Sequence, residues 1–133
     1  MARVSERLHD AERALGSLED LVKLAKPSVV ERDAAIARFT YTFEAVWKAA
    51  RDILLDREGI DAASPKACIR ASRRVALLGD EQAEAALRAA DDRNLIVHVY
   101  KEALAQALFL RLAEHSAVLN AWLVALRDRD RRS

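Results

Sequence analysis

Residues 28–59, SVVERDAAIARFTYTFEAVWKAARDILLDREG, decide the fold. Ile36, Phe39, Phe43, Val46, Trp47, Ala50, Ile53 and Leu54 recur at three- and four-residue steps, the period of one helix face. Ser28 has the chemistry of an N-cap and Gly59 that of a stop, so the pattern predicts a helix from about Val29 to Arg57. At 1.5 Å per residue such a helix is roughly 40 Å long, enough for the spine of a bundle. Its aromatic residues are concentrated at Phe39, Tyr41, Phe43 and Trp47.

Working outward from this spine, the same period appears on both sides. Leu8, Ala11, Leu15, Leu18, Leu21 and Val22 mark an amphipathic first helix from about Val4 to Ala25, closed by Pro27. Asp61 to Ser64 reads as a loop. Ser64 followed by Pro65 is a cap with proline at the first helical position, opening a third helix that should run to about Leu78. Gly79 and Asp80 break it, and Glu81 to Ala90 form a short fourth helix. The Asp91-Asp92 pair that follows either caps a new helix or lies inside a continuous one, and the sequence leaves both open. Leu104, Ala107, Leu108, Leu112, Leu119, Trp122, Leu123 and Leu126 set out a long last helix from Lys101 to about Arg127. Residues 127–133 are charged and poor in apolar groups, a tail expected to fray. With no strand pattern and no internal repeat, the expectation is one all-α domain over 1–133, an up-and-down bundle of four to five helices.

Composition agrees with this reading. Of 133 residues, 52% are apolar and 32% charged, and only three Gly and two Pro are present, too few for a sheet with many turns. Lys plus Arg is 22 against 21 for Asp plus Glu, so no global positive field draws the chain to nucleic acid, and any such contact must be local. The single Cys68 rules out an internal disulfide and a thiolate zinc cage, which suits a reducing compartment. No apolar run reaches the length of a membrane span, and charges occupy Met1 to Leu8 where a signal peptide would be apolar; a cytoplasmic location is expected.

Chemistry concentrates in Asp92-Arg93-Asn94-Leu95-Ile96-Val97-His98-Val99-Tyr100. Arg93 offers a permanent cation with a planar fork of donors suited to phosphate, and His98 is the side chain that exchanges a proton near neutrality. If the segment is helical, Asn94 and His98 lie one turn apart on one stripe and Arg93 and Tyr100 share the next, while Leu95, Ile96 and Val99 face the other way. Taken singly, an arginine and a histidine on one helix are more often a solvated charge and a structural imidazole. Tyr100 alone reads as a boundary aromatic with its hydroxyl in water.

A second block, Arg32 to Lys48, changes the balance. Arg38-Phe39, Phe43-Glu44 and Trp47-Lys48, followed in order by Arg93-x4-His98-x-Tyr100, resemble the HEPN family over nearly the whole chain. More narrowly they resemble the small nucleotidyltransferase substrate-binding proteins, or HepT-like toxins, usually encoded beside a minimal nucleotidyltransferase (MNT). The resemblance implies a homodimer with the signature segments of two subunits lining one cleft. In active members it also implies a metal-independent endoribonuclease acting on RNA without a cofactor. His98 would then transfer the proton, Arg93 would stabilise charge on the pentacoordinate phosphorus, and Asn94 would orient one of them or bind the phosphate. Tyr100 matches the tyrosine that the MNT antitoxin modifies with AMP in the toxin–antitoxin pairs. The leading expectation is therefore a toxin ribonuclease controlled by the transferase, and its rival is a non-catalytic subunit that binds substrate for the transferase. Thr40, where a carboxylate is frequent, and the order Ala45-Val46 depart from the pattern and touch packing and the dimer seam.

Elementary chemistry is compatible with the nuclease reading. His9 and His115 stand isolated on distant helices and His98 is the only histidine with a cation beside it. A general acid or base of this type contributes about 10²–10⁴-fold, and an arginine fork supplies the electrostatic part. Glu44 and Lys48, four apart, read as an intrahelical ion pair. Arg38 reads as a surface residue, and Phe39, Phe43 and Trp47 as core or dimer interface rather than a base-stacking platform. Arg70, Arg73 and Arg74 form a local basic cluster near Lys66, read first as a solvated helix face and only second as a holder of RNA phosphates.

Overall fold

The computed structural model describes residues 2–132. Five α-helices make up the chain: α1 (Ala2–Val22), α2 (Val29–Glu58), α3 (Pro65–Arg74), α4 (Asp80–Leu95) and α5 (Glu102–Arg131), with a 3-10 turn at Ile96–His98 between the last two. The starts of α2 and α3 each have a local cause. Ser28 caps α2 with a reciprocal box: its hydroxyl accepts from the Glu31 N–H at 3.0 Å, and Glu31 Oε1 accepts from the Ser28 N–H at 2.8 Å. Gly59 ends α2 in the left-handed region at φ 67°, a conformation glycine adopts without a Cβ clash. Ser64 caps α3 by accepting from the Ala67 N–H, with Pro65 in the first turn.

Ion pairs and hydrogen bonds between helices fix their directions. Arg32 near the start of α2 holds Glu102 at the start of α5 at 2.7 Å, and Arg57 near its end holds Asp130 at 3.1 Å, so α2 and α5 run parallel. Arg7 lies 2.5 Å from Asp52 and Arg38 donates to the Ser17 carbonyl at 2.9 Å, so α1 runs antiparallel to α2. Asp92 meets Arg111 and Arg88 meets Glu114, which sets α4 antiparallel to α5. The four longer helices therefore alternate in direction along the chain, and the short α3 is inserted in the connection between α2 and α4. One contiguous core runs through them, with Phe39, Phe43, Leu54, Leu119 and Trp122 fully enclosed. Inside it the Trp122 indole N–H donates to Ser72 Oγ at 3.0 Å.

Three boundaries differ from expectation. The third helix stops at Arg74 instead of Leu78, because Ala76 takes a left-handed φ of 63° and the chain reverses. The N–H of Leu77 then donates to the Ser72 carbonyl at 2.8 Å and that of Ala76 to the Arg73 carbonyl at 3.2 Å, a Schellman closure that turns Leu77 and Leu78 into the core. The fourth helix is not short: it continues through Asp91 and Asp92 to Leu95. The tail does not fray over 127–131, where α5 remains helical. Arg129 holds it by donating to Glu58 Oε2 at 3.1 Å and to the Val75 carbonyl at 2.9 Å, and Arg57 grips Asp130. Ser133 lies outside the described residues. Among the described residues no helix is long and apolar enough to cross a membrane.

Candidate functional site

The last turn of α4 carries Arg93 to the mouth of a groove of about 180 Å³ lined by Phe43, Ser64, Pro65, Lys66, Ala90, Arg93 and Asn94. The guanidinium lies over the Phe43 ring, 5.8 Å from its centroid, and forms an ion pair with Glu44 of α2. It also donates to Asn94 Oδ1 at 3.3 Å. Glu44 is itself held in place, since Oε2 accepts from the Trp47 indole N–H at 3.1 Å and lies 3.9 Å from Lys48 Nζ. The Glu44–Lys48 pair expected on the helix face is therefore present, but it is the outer edge of a larger set. Lys66, which also lines the groove, is bound to Asp91 at 2.6 Å.

His98 and Tyr100 lie outside this groove. The stripes expected from an unbroken helix do not form, because α4 ends at Leu95 and Ile96–His98 make a single 3-10 turn. The run Ile96-Val97-His98-Val99 has three β-branched residues in four, which lose side-chain freedom in an α-helix and weaken its continuation. The Val99 N–H donates to the Ile96 carbonyl at 3.0 Å and the Lys101 N–H to that of His98 at 3.1 Å, so the chain turns away. Ile96 and Val99 pack on the core as expected, but Leu95 is 39% exposed rather than inward. Val97 and Tyr100 stand 74% and 76% exposed. The rings of His98 and Tyr100 approach edge to face at 6.3 Å between centroids. Within one chain, then, Arg93 and Asn94 share a cavity while His98 and Tyr100 share a neighbouring knuckle.

Immediately behind Arg93 lies a polar cluster that the sequence pattern did not single out. Asp92 is buried, and its carboxylate accepts from Arg111 twice, Nε to Oδ2 at 2.7 Å and the terminal nitrogen to Oδ1 at 2.9 Å. It also meets His115 Nε2 at 2.6 Å, and the imidazole stacks on Phe39 at 5.2 Å. Burial pushes the Asp92 carboxyl up, but the bonds from Arg111 and His115 outweigh it and hold the group below the usual carboxylate range. His115 is thus not isolated, and His98 is not the only histidine associated with a cation. The signal was present in the sequence: Arg111 and His115 are four apart and share a face of α5, and a fixed carboxylate is what such a pair needs. Because Asp92 pins the last turn of α4 to α5, the next side chain, Arg93, is turned toward α2 and the groove.

Other singled-out residues have plain places. Phe39 and Phe43 are core, Trp47 is nearly so, and Arg38 leans on α1 through the Ser17 carbonyl. Cys68 is buried, and its thiol is pushed up to about 11, chiefly by burial.

The chain is thus a small all-helical bundle with Arg93 and Lys66 lining a groove where α4 meets α2 and α3. Residues 6–128 match the model of the family described as nucleotidyltransferase substrate binding protein like, and the chain belongs to that family. A crystal structure of a protein from Thermus thermophilus is similar at 52% identity, with a TM-score of 0.86, covering 88% of this chain and 98% of that one. Among proteins of curated function, none matches.

Proposed function

We propose that this chain is the substrate-binding subunit of a nucleotidyltransferase and that the Arg93 groove receives a phosphate of the substrate. The observation that carries this reading is the placement of Arg93: a permanent cation at the rim of a concave site, held by Glu44 and backed by the buried Asp92 anchor. Asn94 and the Ser64 hydroxyl add neutral hydrogen-bonding groups around it. His98 is not in the groove, so a single chain offers a place to hold a phosphodiester and not a complete set of groups to cleave one. Calorimetric titration of the chain with its cognate minimal nucleotidyltransferase tests the reading. Saturable association supports it, and absence of heat at concentrations well above micromolar contradicts it.

A second reading is favoured by the exposed knuckle. Two copies facing across Val97 and Tyr100 would bring His98 of each toward the other's Arg93, the arrangement of a metal-independent endoribonuclease formed by a homodimer. His98 would take the proton of the attacking 2′-hydroxyl, and Arg93 would stabilise the phosphorane as the 5′-oxygen leaves. In this reading the MNT is the antitoxin. The Tyr100 phenol oxygen attacks the α-phosphorus of ATP, pyrophosphate departs, the phenolic proton passes to solvent, and the bulky anion closes the cleft. RNA incubated with wild type in EDTA should be cut, whereas His98→Ala and Arg93→Ala leave it whole; intact RNA in all three tubes removes the nuclease reading. Absence of adenylyl mass on Tyr100 after incubation with ATP and the transferase removes the control step.

A further inference from the structure

The exposed face of α3 continues the Arg93 groove as a line of cations. Lys66 lines the groove itself. Arg70, Arg73 and Arg74 follow it at four, seven and eight residues along the helix, which at 100° per residue keeps all four within an arc of about 100° and spreads them over roughly 12 Å. The opposite face of α3 supplies Cys68, Ile69, Ala71 and Ser72 to the interior, so the helix cannot rotate this line out of solvent. The three arginines surround a second concavity of about 360 Å³ whose remaining lining residue is Asp80. Lys66 and Arg73 already have carboxylate partners, Asp91 at 2.6 Å and Asp80 at 2.7 Å. Arg70 and Arg74 are exposed and have no carboxylate within ion-pair distance among the described residues. Two unpaired guanidinium forks on one side of a concave surface repel each other in the free protein, and a phosphodiester oxygen relieves that repulsion.

We infer that the α3 face is a second anion site, continuous with the Arg93 groove, and that it takes the backbone of a single-stranded polynucleotide. A mononucleotide presents its phosphate at one point. Cations repeated along a helix instead match anions repeated along a chain, and no aromatic side chain stands on the stripe to read bases, so binding there is independent of sequence. The inference rests on the Arg93 groove being the phosphate site, and it makes the substrate of that site a polymer.

The test is fluorescence anisotropy with a labelled twelve-nucleotide 2′-O-methyl RNA, which lacks the attacking hydroxyl and so reports binding apart from any cleavage. The full chain, Arg70→Gln/Arg74→Gln, and Arg13→Gln on the exposed face of α1 are titrated across a series of KCl concentrations. Wild type should bind with affinity that falls with salt. The double variant should lose about 1.4 from the slope of log affinity against log salt, as expected for two single-strand phosphate contacts, while Arg13→Gln keeps the wild-type slope. An unchanged slope in the double variant, an equal loss in Arg13→Gln, or no binding by wild type overturns the inference. A parallel titration of Arg93→Ala separates the two claims. If Arg93→Ala binds as wild type while the double variant does not, the α3 site stands and the phosphate role of Arg93 falls; the reverse pattern removes the α3 site alone.

Discussion

Asp92 decides more of the local structure than its neighbours in the signature do. It is a buried carboxylate that meets both Arg111 and His115, and it sits one residue before Arg93, the cation proposed to hold phosphate. Replacing it by Asn removes the charge while keeping the shape, and leaves Arg111 without its anion. Since Arg111 remains 42% exposed, water recovers part of the loss, and Asp92→Asn should destabilise the fold by about 2 kcal/mol, below the 3–5 typical of a fully buried pair. Urea unfolding measures this. The pH dependence follows from the sign of the shift. The folded carboxyl titrates below its unfolded value of 3.8, so its stabilisation is complete above that value and disappears as pH falls through the lower folded one. Wild-type stability should therefore drop more steeply than that of Asp92→Asn below about pH 4. Equal acid sensitivity in the two proteins would show that the pair contributes nothing. In the sequence, Asp92 was visible only as half of an Asp91-Asp92 pair. Nothing local distinguished Asp91, which binds Lys66 at the surface, from Asp92, whose partners lie 19 and 23 residues further on.

Among the elements, the long helices were legible because their apolar stripes are long, and α2 and α3 because their caps are explicit. The α2 boundaries, Ser28 through Gly59, follow from one reciprocal cap and one glycine. A helix that ends without glycine or proline carries no such local mark. The closure after α3 uses Ala76 at the left-handed position normally held by glycine. Ala76→Gly should remove the Cβ strain at that point and, after the entropy that glycine adds to the unfolded chain, raise stability by about 0.5–1 kcal/mol. A lowered midpoint in thermal or urea unfolding would mean that the left-handed φ costs nothing there. The end of α4 repeats this at the site itself. A run of β-branched residues, read as one greasy helix face, instead marks the change from α-helix to 3-10 turn, and that change separates His98 and Tyr100 from the groove of Arg93. The end of α5 departs in the opposite direction. Alternating Arg and Asp has the pattern of a solvated tail, but Arg129 and Asp130 each find a partner on α2, and those pairings are invisible to local pattern.

In the whole molecule, the parallel pair α2 and α5 forms a frame from which the two surfaces with proposed roles project. One is the groove with Arg93 and its extension along α3; the other is the knuckle with Val97, His98 and Tyr100. The knuckle is where the homodimer of the second reading would form. Sedimentation equilibrium should then give a dimer for wild type and a monomer for Val97→Asp with unchanged helical content. A wild-type monomer throughout the micromolar range would leave the two half-sites apart and remove the paired-cleft nuclease. The family was legible because two spaced blocks, Arg38 to Lys48 and Arg93 to Tyr100, stand in order across the chain, and family membership then carries the transferase association as a proposal.

The role of Arg93 in holding a substrate phosphate for a nucleotidyltransferase is tested most directly by steady-state nucleotidyl transfer with the reconstituted pair, comparing wild type with Arg93→Ala and Arg93→Lys at saturating ATP and varied acceptor. A binding role predicts that Arg93→Ala raises KM for the acceptor by about tenfold or more with kcat little changed, with Arg93→Lys in between because lysine keeps the charge but loses the fork. Unaltered KM in both variants, with transfer proceeding at the wild-type rate, would contradict it.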